Sequence, residues 1–249
     1  MNKRVAVVLA AGKGTRMKSE LPKVLIPLAG RPMIDYVLDT LAASSIDEVL
    51  LVVGYRSADV RAAVGGRPGV RFVEQAEQLG TGHAVMVCRP ELAGHQGPVL
   101  IVTGDSPMIQ ADSLLRLLDE FDRRRPACLL GTAHRDDPAG LGRIVRDREG
   151  NFLDIVEEKD ATPDQRRIRE VNLSCYVFAG PDLLYALDHI RPANSQAEYY
   201  LTDCPGVLRR AGRPVEALPL LKPVEALSIN TPAELAVVEA ALTAQGESA

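Results

Sequence analysis

Residues 9–23 read LAAGKGTRMKSELPK, a stretch in which Gly12 and Gly14 stand among the cations Lys13, Arg16 and Lys23. Small residues let backbone approach a ligand closely, and successive N–H groups in such a loop can face phosphate oxygens. The same composition also suits a plain glycine turn with solvated basic side chains. Two common phosphate loops do not fit. A dinucleotide fingerprint needs a third glycine where Met17 stands, and Gly12-Lys13-Gly14-Thr15 lacks the spacing of a P-loop. Hydride transfer and P-loop ATP hydrolysis therefore lose ground.

Asp105 follows Gly104 at the end of an apolar run, where an aspartate is a turn former, a helix cap or a hard-metal ligand. The four histidines, His83, His95, His134 and His189, show no metal-ligand spacing, which favours structural roles. Cys88, Cys128, Cys175 and Cys204 are scattered with no CxxC pair, as expected of buried free thiols in a reducing compartment. Arg123, Arg124 and Arg125 read as a solvated helix end, and Arg166, Arg167 and Arg169 as a basic surface turn.

The elements that must carry these residues follow from the apolar pattern. Apolar runs at 5–9, 48–53, 70–73 and 99–102 predict strands, and apolar stripes predict helices over 32–43, 57–64, 82–88 and 112–124. Alternation of this kind implies an α/β chain with a mainly parallel sheet flanked by helices. Ligands then sit beyond the carboxyl ends of the strands, where residues 12–16 and Gly104-Asp105 both fall. In the second half, 143–146 and 152–156 flank a hairpin signal, and 171–178, 215–218 and 226–229 read as further strands. Asp203 is the predicted cap of a helix running to Arg210, and Thr231-Pro232-Ala233-Glu234 opens a last helix to about residue 244.

With 249 residues, 46% hydrophobic and 25% charged, the chain is long enough for a full core. We read it as one domain over 1–249, a mainly nucleotide-binding part (1–125) continued in the same sheet by a smaller, β-rich substrate-binding part (126–249). The net charge of −4 gives no general attraction to nucleic acid or an anionic membrane, so anionic ligands need local cations. The first apolar run is too short for a signal peptide, and a cytoplasmic location is the expectation.

The stretch 9–25 resembles the signature of the sugar nucleotidylyltransferases. Within that family it is similar to the uridylyltransferase domain of the bacterial bifunctional N-acetylglucosamine-1-phosphate uridyltransferase/glucosamine-1-phosphate acetyltransferase. The similarity continues at 75–84, 104–107, 142–144, 155–161 and 197–203, in the same order. It implies a Rossmann-like nucleotide-diphospho-sugar transferase fold and transfer from a nucleoside triphosphate, UTP by this likeness, to N-acetylglucosamine-1-phosphate. It further implies that Leu9, Ala10, Ala11, Gly12 and Gly14, with Gln75, Gly80 and Thr81, hold the nucleotide. Arg16 and Lys23 would face phosphates as the catalytic cations, with Lys23 also counted among the nucleotide contacts. Asp105 and Asn230 would bind Mg²⁺. Gly142, Glu157 and Asn172 would contact sugar and ribose hydroxyls, with Tyr200 and Thr202 lining the sugar pocket.

The chain departs from these relatives at Leu173-Ser174, where they continue Thr-Gly, and at Ser228-Ile229-Asn230, where they read closer to Gly-Val-Asn-Asn. Another sugar-1-phosphate, or dTTP or CTP, is the alternative within the fold. A non-catalytic nucleotide-sugar-sensing subunit should have lost Arg16, Lys23, Asp105 or Asn230, and all four are present. No hexapeptide period appears, so no acetyltransferase activity is expected, and a monomer or homodimer is the expected assembly.

Overall fold

The computed structural model describes residues 3–194 and 196–246. The first strand, β1 (Val5–Leu9), is followed by a glycine-rich loop and a small ribbon, β2 (Pro27–Leu28) with β3 (Arg31–Pro32). Then come α1 (Met33–Ala42), β4 (Glu48–Val53), α2 (Ser57–Val64), β5 (Val70–Glu74), α3 (Thr81–Met86) and α4 (Arg89–Leu92). Next are β6 (Pro98–Thr103), α5 (Ala111–Arg124), β7 (Cys128–His134), β8 (Gly142–Arg146), β9 (Phe152–Val156) and α6 (Pro163–Arg166). The chain closes with β10 (Glu170–Ala179), α7 (Gly180–His189), α8 (Asp203–Arg210), β11 (Val215–Leu218) and α9 (Pro232–Gly246).

The main sheet runs β11-β7-β10-β6-β1-β4-β5. Along this row only β10 is antiparallel to its neighbours, and the rest form parallel pairs. The apolar strands β1, β4 and β6 are buried on both faces, as parallel crossovers require. Helices α1, α2 and α5 cover one face, and α3, α4, α7 and α8 the other. On α5, Leu114, Leu117, Leu118 and Phe121 form the buried stripe at helical spacing.

Strand β10 is longer than its neighbour β6, and this builds the second part of the site. Beyond the end of β6, its residues Val171 and Asn172 pair with Arg143 and Gly142 of β8 instead. A bulge separates Asn172 from Cys175, with Ser174 at a φ of +53°. Two extra residues there, Leu173 and Ser174, bend the strand and aim its first half away from the parallel core. The β8–β9 hairpin hangs from that projecting half, as the turn signal at 147–151 required.

Two expectations need correction. The segment 226–229 is not a strand. A 3₁₀ turn occupies Pro223–Ala226, and Ile229 donates its N–H to the Asp105 carbonyl at 3.4 Å. Pro223 has no N–H to give a ladder, and β11 already edges the sheet beside β7. Asp203 is the first helical residue of α8 rather than its cap, which is Thr202. Strand β7 and helix α7 had no counterpart in the sequence reading. The four cysteines are all buried free thiols, and burial pushes the Cys88 thiol up to about 12.

Glu225 fastens the 3₁₀ turn to the core. It is 3% exposed and accepts the Gln110 N–H and the Ser113 hydroxyl, each at 2.8 Å, and the Lys222 N–H. Gln110 and Ser113 lie at the start of α5, where a carboxylate also complements the helix dipole, and Lys222 caps the 3₁₀ turn itself. Glu225→Ala should lower stability by about 2–3 kcal/mol, because buried donors lose a charged acceptor. Chemical denaturation with an unchanged m-value would check this, and a loss under 0.5 kcal/mol would contradict it.

Candidate active site

The carboxyl ends of β1, β4, β5 and β6 open on one side of the sheet, and the loops leaving them form a cavity of about 270 Å³. Leu9, Ala10, Ala11, Gly12, Gln75, Gly80 and Thr81 all line it, together with Val24, Gln78, Ala84, Thr103, Asp105 and Glu198. Ala10 and Ala11 are buried because their backbone continues the sheet. Ala10 donates to the Val52 carbonyl, and the Ala11 carbonyl accepts from Tyr55, at 2.9 and 3.0 Å. Gly12 then reaches open space, where a side chain would meet nothing within 4 Å.

Gln75 is 3% exposed at the exit of β5. Its NH₂ group donates to the Gly80 carbonyl at 3.2 Å and faces His83 Nδ1 at 3.1 Å. That engagement leaves the amide oxygen as the end able to accept an imide N–H. His83 thus has the structural role assigned to it, but as the partner that orients Gln75, a link its position on a helix did not reveal. Gly80 holds a φ of +109°, and a Cβ there would sit 2.5 Å from the Tyr199 carbonyl. No other residue type fits, because the loop carrying Glu198 and Tyr199 packs directly on this turn. Thr81 accepts the Leu201 N–H at 3.0 Å, which joins the base side of the cavity to the Tyr200–Thr202 segment.

The charged residues meet at the other side. Lys23 Nζ donates to Asp105 Oδ2 and, at 2.8 Å, to Asn230 Oδ1. Arg16 donates to the same Asn230 oxygen at 2.9 Å. Gly14 makes room for the lysine, since a Cβ on it would lie 2.7 Å from Lys23 Cβ. Asn230 is set by the start of α9, where Glu234 accepts its N–H at 2.7 Å and Thr231 Oγ1 accepts the Glu234 N–H at 3.3 Å. Among the described residues no group of three or more His, Cys, Asp or Glu could hold a metal ion. Asp105 and Asn230 nevertheless aim hard oxygens at one cationic point, a donor pair that suits Mg²⁺ once ligand oxygens complete the shell.

Gly142, Asn172 and Glu157 converge through the β8–β10 pairing. A Cβ on Gly142 would lie 3.4 Å from Asn172 Cβ and 3.6 Å from Glu157 Oε2. Glu157 takes a hydrogen bond from Thr202, yet burial outweighs it and raises the carboxyl above its ordinary value. Tyr200 lies near these carboxylates, but its hydroxyl donates to Gln196 Oε1 at 2.5 Å. A second cavity of about 160 Å³ adjoins the first at Thr103 and Asp105 and continues along Asn172, Leu173 and Ser174. Ser106, Glu198, Leu173 and Ser174 were not among the residues singled out for the site. The signals for them were present: Ser106 and Glu198 stand in the matched stretches 104–107 and 197–203, and Leu173-Ser174 mark a departure from the relatives. The arginines at 123–125 and 166–169 are exposed, as solvated surface.

The fold is an α/β architecture whose sheet end gathers cations, a carboxylate and closely approaching backbone at one opening. The chain belongs to the MobA-like NTP transferase domain family, which matches residues 6–196. It is 48% identical over 234 residues to the bifunctional protein GlmU of Pelotomaculum thermopropionicum, covering 94% of this chain and 51% of that protein. The chain spans about half the length of the curated relatives it matches. In fold it is similar to a structure named as a glucose-1-phosphate thymidylyltransferase of Bacillus anthracis (TM-score 0.78, 17% identity, 96% of this chain and 94% of that one). It is also similar to a UDP-glucose pyrophosphorylase (TM-score 0.75, 18% identity, 98% of this chain and 100% of that one). Both share the mainly parallel, helix-flanked sheet. No helix among the described residues is long and apolar enough to cross a membrane.

The raised Glu157 carboxyl has a defined consequence for stability. The native state keeps the proton at pH values where the unfolded chain has lost it. Stability therefore falls as pH rises from the ordinary glutamate value through the raised folded one. Glu157→Gln should melt higher than the parent at pH 7–8, with the difference vanishing near pH 4. A melting series over pH would show this, and a difference that does not change with pH would contradict it.

Proposed function

We propose that the chain transfers a uridylyl group from UTP to N-acetylglucosamine-1-phosphate, giving the nucleotide-sugar and pyrophosphate. The observation that carries the reading is the meeting of Lys23, Arg16, Asp105 and Asn230 at the mouth of the cavity that Gln75, Gly80 and the 9–12 backbone enclose. Residues 1–125 would supply most nucleotide contacts and 126–249 most sugar contacts. The two halves share one sheet, and Glu198 and Asn230 reach back into the first.

A phosphate monoester has a second pKa of about 6, so the sugar phosphate is largely dianionic at neutral pH and needs no general base. Its oxygen attacks the α-phosphorus, a new P–O bond forms, and the bond from that phosphorus to the bridging oxygen breaks. The electron pair leaves with pyrophosphate. The obstacle is bringing two polyanions together, which positioned cations relieve. Lys23 and Arg16 face the phosphates from the glycine loop. Gln75 accepts the imide N–H of uracil, and Gly142, Glu157, Asn172 and Thr202 hold hydroxyls, with Tyr200 at the pocket edge. Asp105 and Asn230 would hold Mg²⁺, which supplies neutralisation of phosphate charge.

A second reading keeps the reaction and changes a substrate to another sugar-1-phosphate, dTTP or CTP. Leu173 and Ser174 favour it for the sugar, because they line the second cavity beside Asn172. Pyrophosphate release measured over a matrix of nucleotides and sugar-1-phosphates decides between them. The expected maximum is UTP with N-acetylglucosamine-1-phosphate, and no release with any pair would overturn nucleotidyl transfer. Asp105→Ala should lower kcat by about 10²–10³-fold, the usual loss when a preorganised charge-stabilising group is removed, while the far-UV spectrum stays unchanged. Retained Mg²⁺-dependent turnover would remove Asp105 from the site.

A further inference from the structure

Lys23 does more in this arrangement than wait for phosphate. Its stem leaves a 3₁₀ turn (Lys23–Leu25) and packs against Gly14, so its root is fixed while the ammonium end can swing. That end lies between Asp105 Oδ2 and Asn230 Oδ1, the same two oxygens that suit a divalent cation. A magnesium ion needs its ligands at about 2.1 Å, so it and the ammonium cannot share them. The lysine and aspartate side chains are 12% and 23% exposed, which leaves their attraction weakly screened.

We propose that the Lys23 ammonium is the resident counter-ion of the divalent-cation site, so that metal can load only when Lys23 leaves. This rests on reading Asp105 and Asn230 as the metal ligands. A triphosphate arriving over the glycine loop gives Lys23 other anionic oxygens to bind. The lysine then releases Asp105 and Asn230 as the nucleotide settles, and metal enters with it. Metal and nucleotide binding are coupled through one side chain, and such coupling is reciprocal.

The test is a titration of Mn²⁺ into nucleotide-free protein, following free Mn²⁺ by electron paramagnetic resonance. Lys23→Met and the more polar Lys23→Gln are compared with the parent, each first shown to be folded by its melting curve. Both variants should bind one Mn²⁺ about tenfold or more tightly than the parent, within the usual range of coupling between sites. The gain should vanish when Asp105→Asn is added. Affinity that is equal to the parent's or weaker in both variants would overturn the proposal. The readout needs no turnover. A parent without transferase activity, whose Lys23 variants still gain Mn²⁺ affinity, would sink the proposed reaction and leave the coupling standing.

Discussion

The contact between Lys23 and the oxygens of Asp105 and Asn230 is the interaction on which the site depends. It joins the loop after β1 to the turn after β6 and to the segment leading into α9, which are 82 and 207 positions from Lys23 in the chain. Opposite charges at the edge of a low-dielectric core attract strongly, and here they add to the apolar packing of Met17, Ile26, Met108 and Ile229 that joins the same loops. The rest of the fold delivers these groups to one place. Strands β1 and β6 are neighbours in parallel register, with Leu9 beside Thr103, so the residues that follow them emerge side by side.

The antiparallel strand β10 is the second structural decision. A parallel sheet alone would offer a nucleotide crevice and little else. By running against its neighbours, β10 brings its first residues, Glu170 to Asn172, to the same side as the carboxyl ends of the parallel strands. Its extra length then supports β8 and β9, and Gly142, Asn172 and Glu157 meet across that small sheet. Two cavities therefore border each other at Thr103 and Asp105.

Buried carboxylates divide by their partners. Glu170 is held below the ordinary range by Arg146 and Thr132 despite its burial, and it anchors the hairpin to β7. Glu157 is raised by burial, which outweighs its hydrogen bond from Thr202 and the attraction of Lys159. Burying a carboxylate that no close ion pair neutralises costs stability.

Much of the parallel half was legible in the sequence. The strands at 5–9, 48–53, 70–74 and 98–103 are apolar runs, and α1, α2 and α5 show helical stripes, because burial dictates residue type at each position. The loop at 9–17 was legible as a close-approach turn because its glycines and alanines leave little else to do. What the chain alone left open was which distant residues would meet. Strand β7 was missed because Cys128 to His134 mixes a glycine and polar residues into a run that only its neighbours β10 and β11 make a strand. The segment 226–229 looked like a strand by composition, yet its Leu227 and Ile229 N–H groups bond the Val224 and Asp105 carbonyls rather than a sheet edge. Local pattern fixes which face of an element is buried. Only tertiary packing could bring Lys23, Asp105 and Asn230 to one point, since that meeting depends on strand order and not on any spacing along the chain.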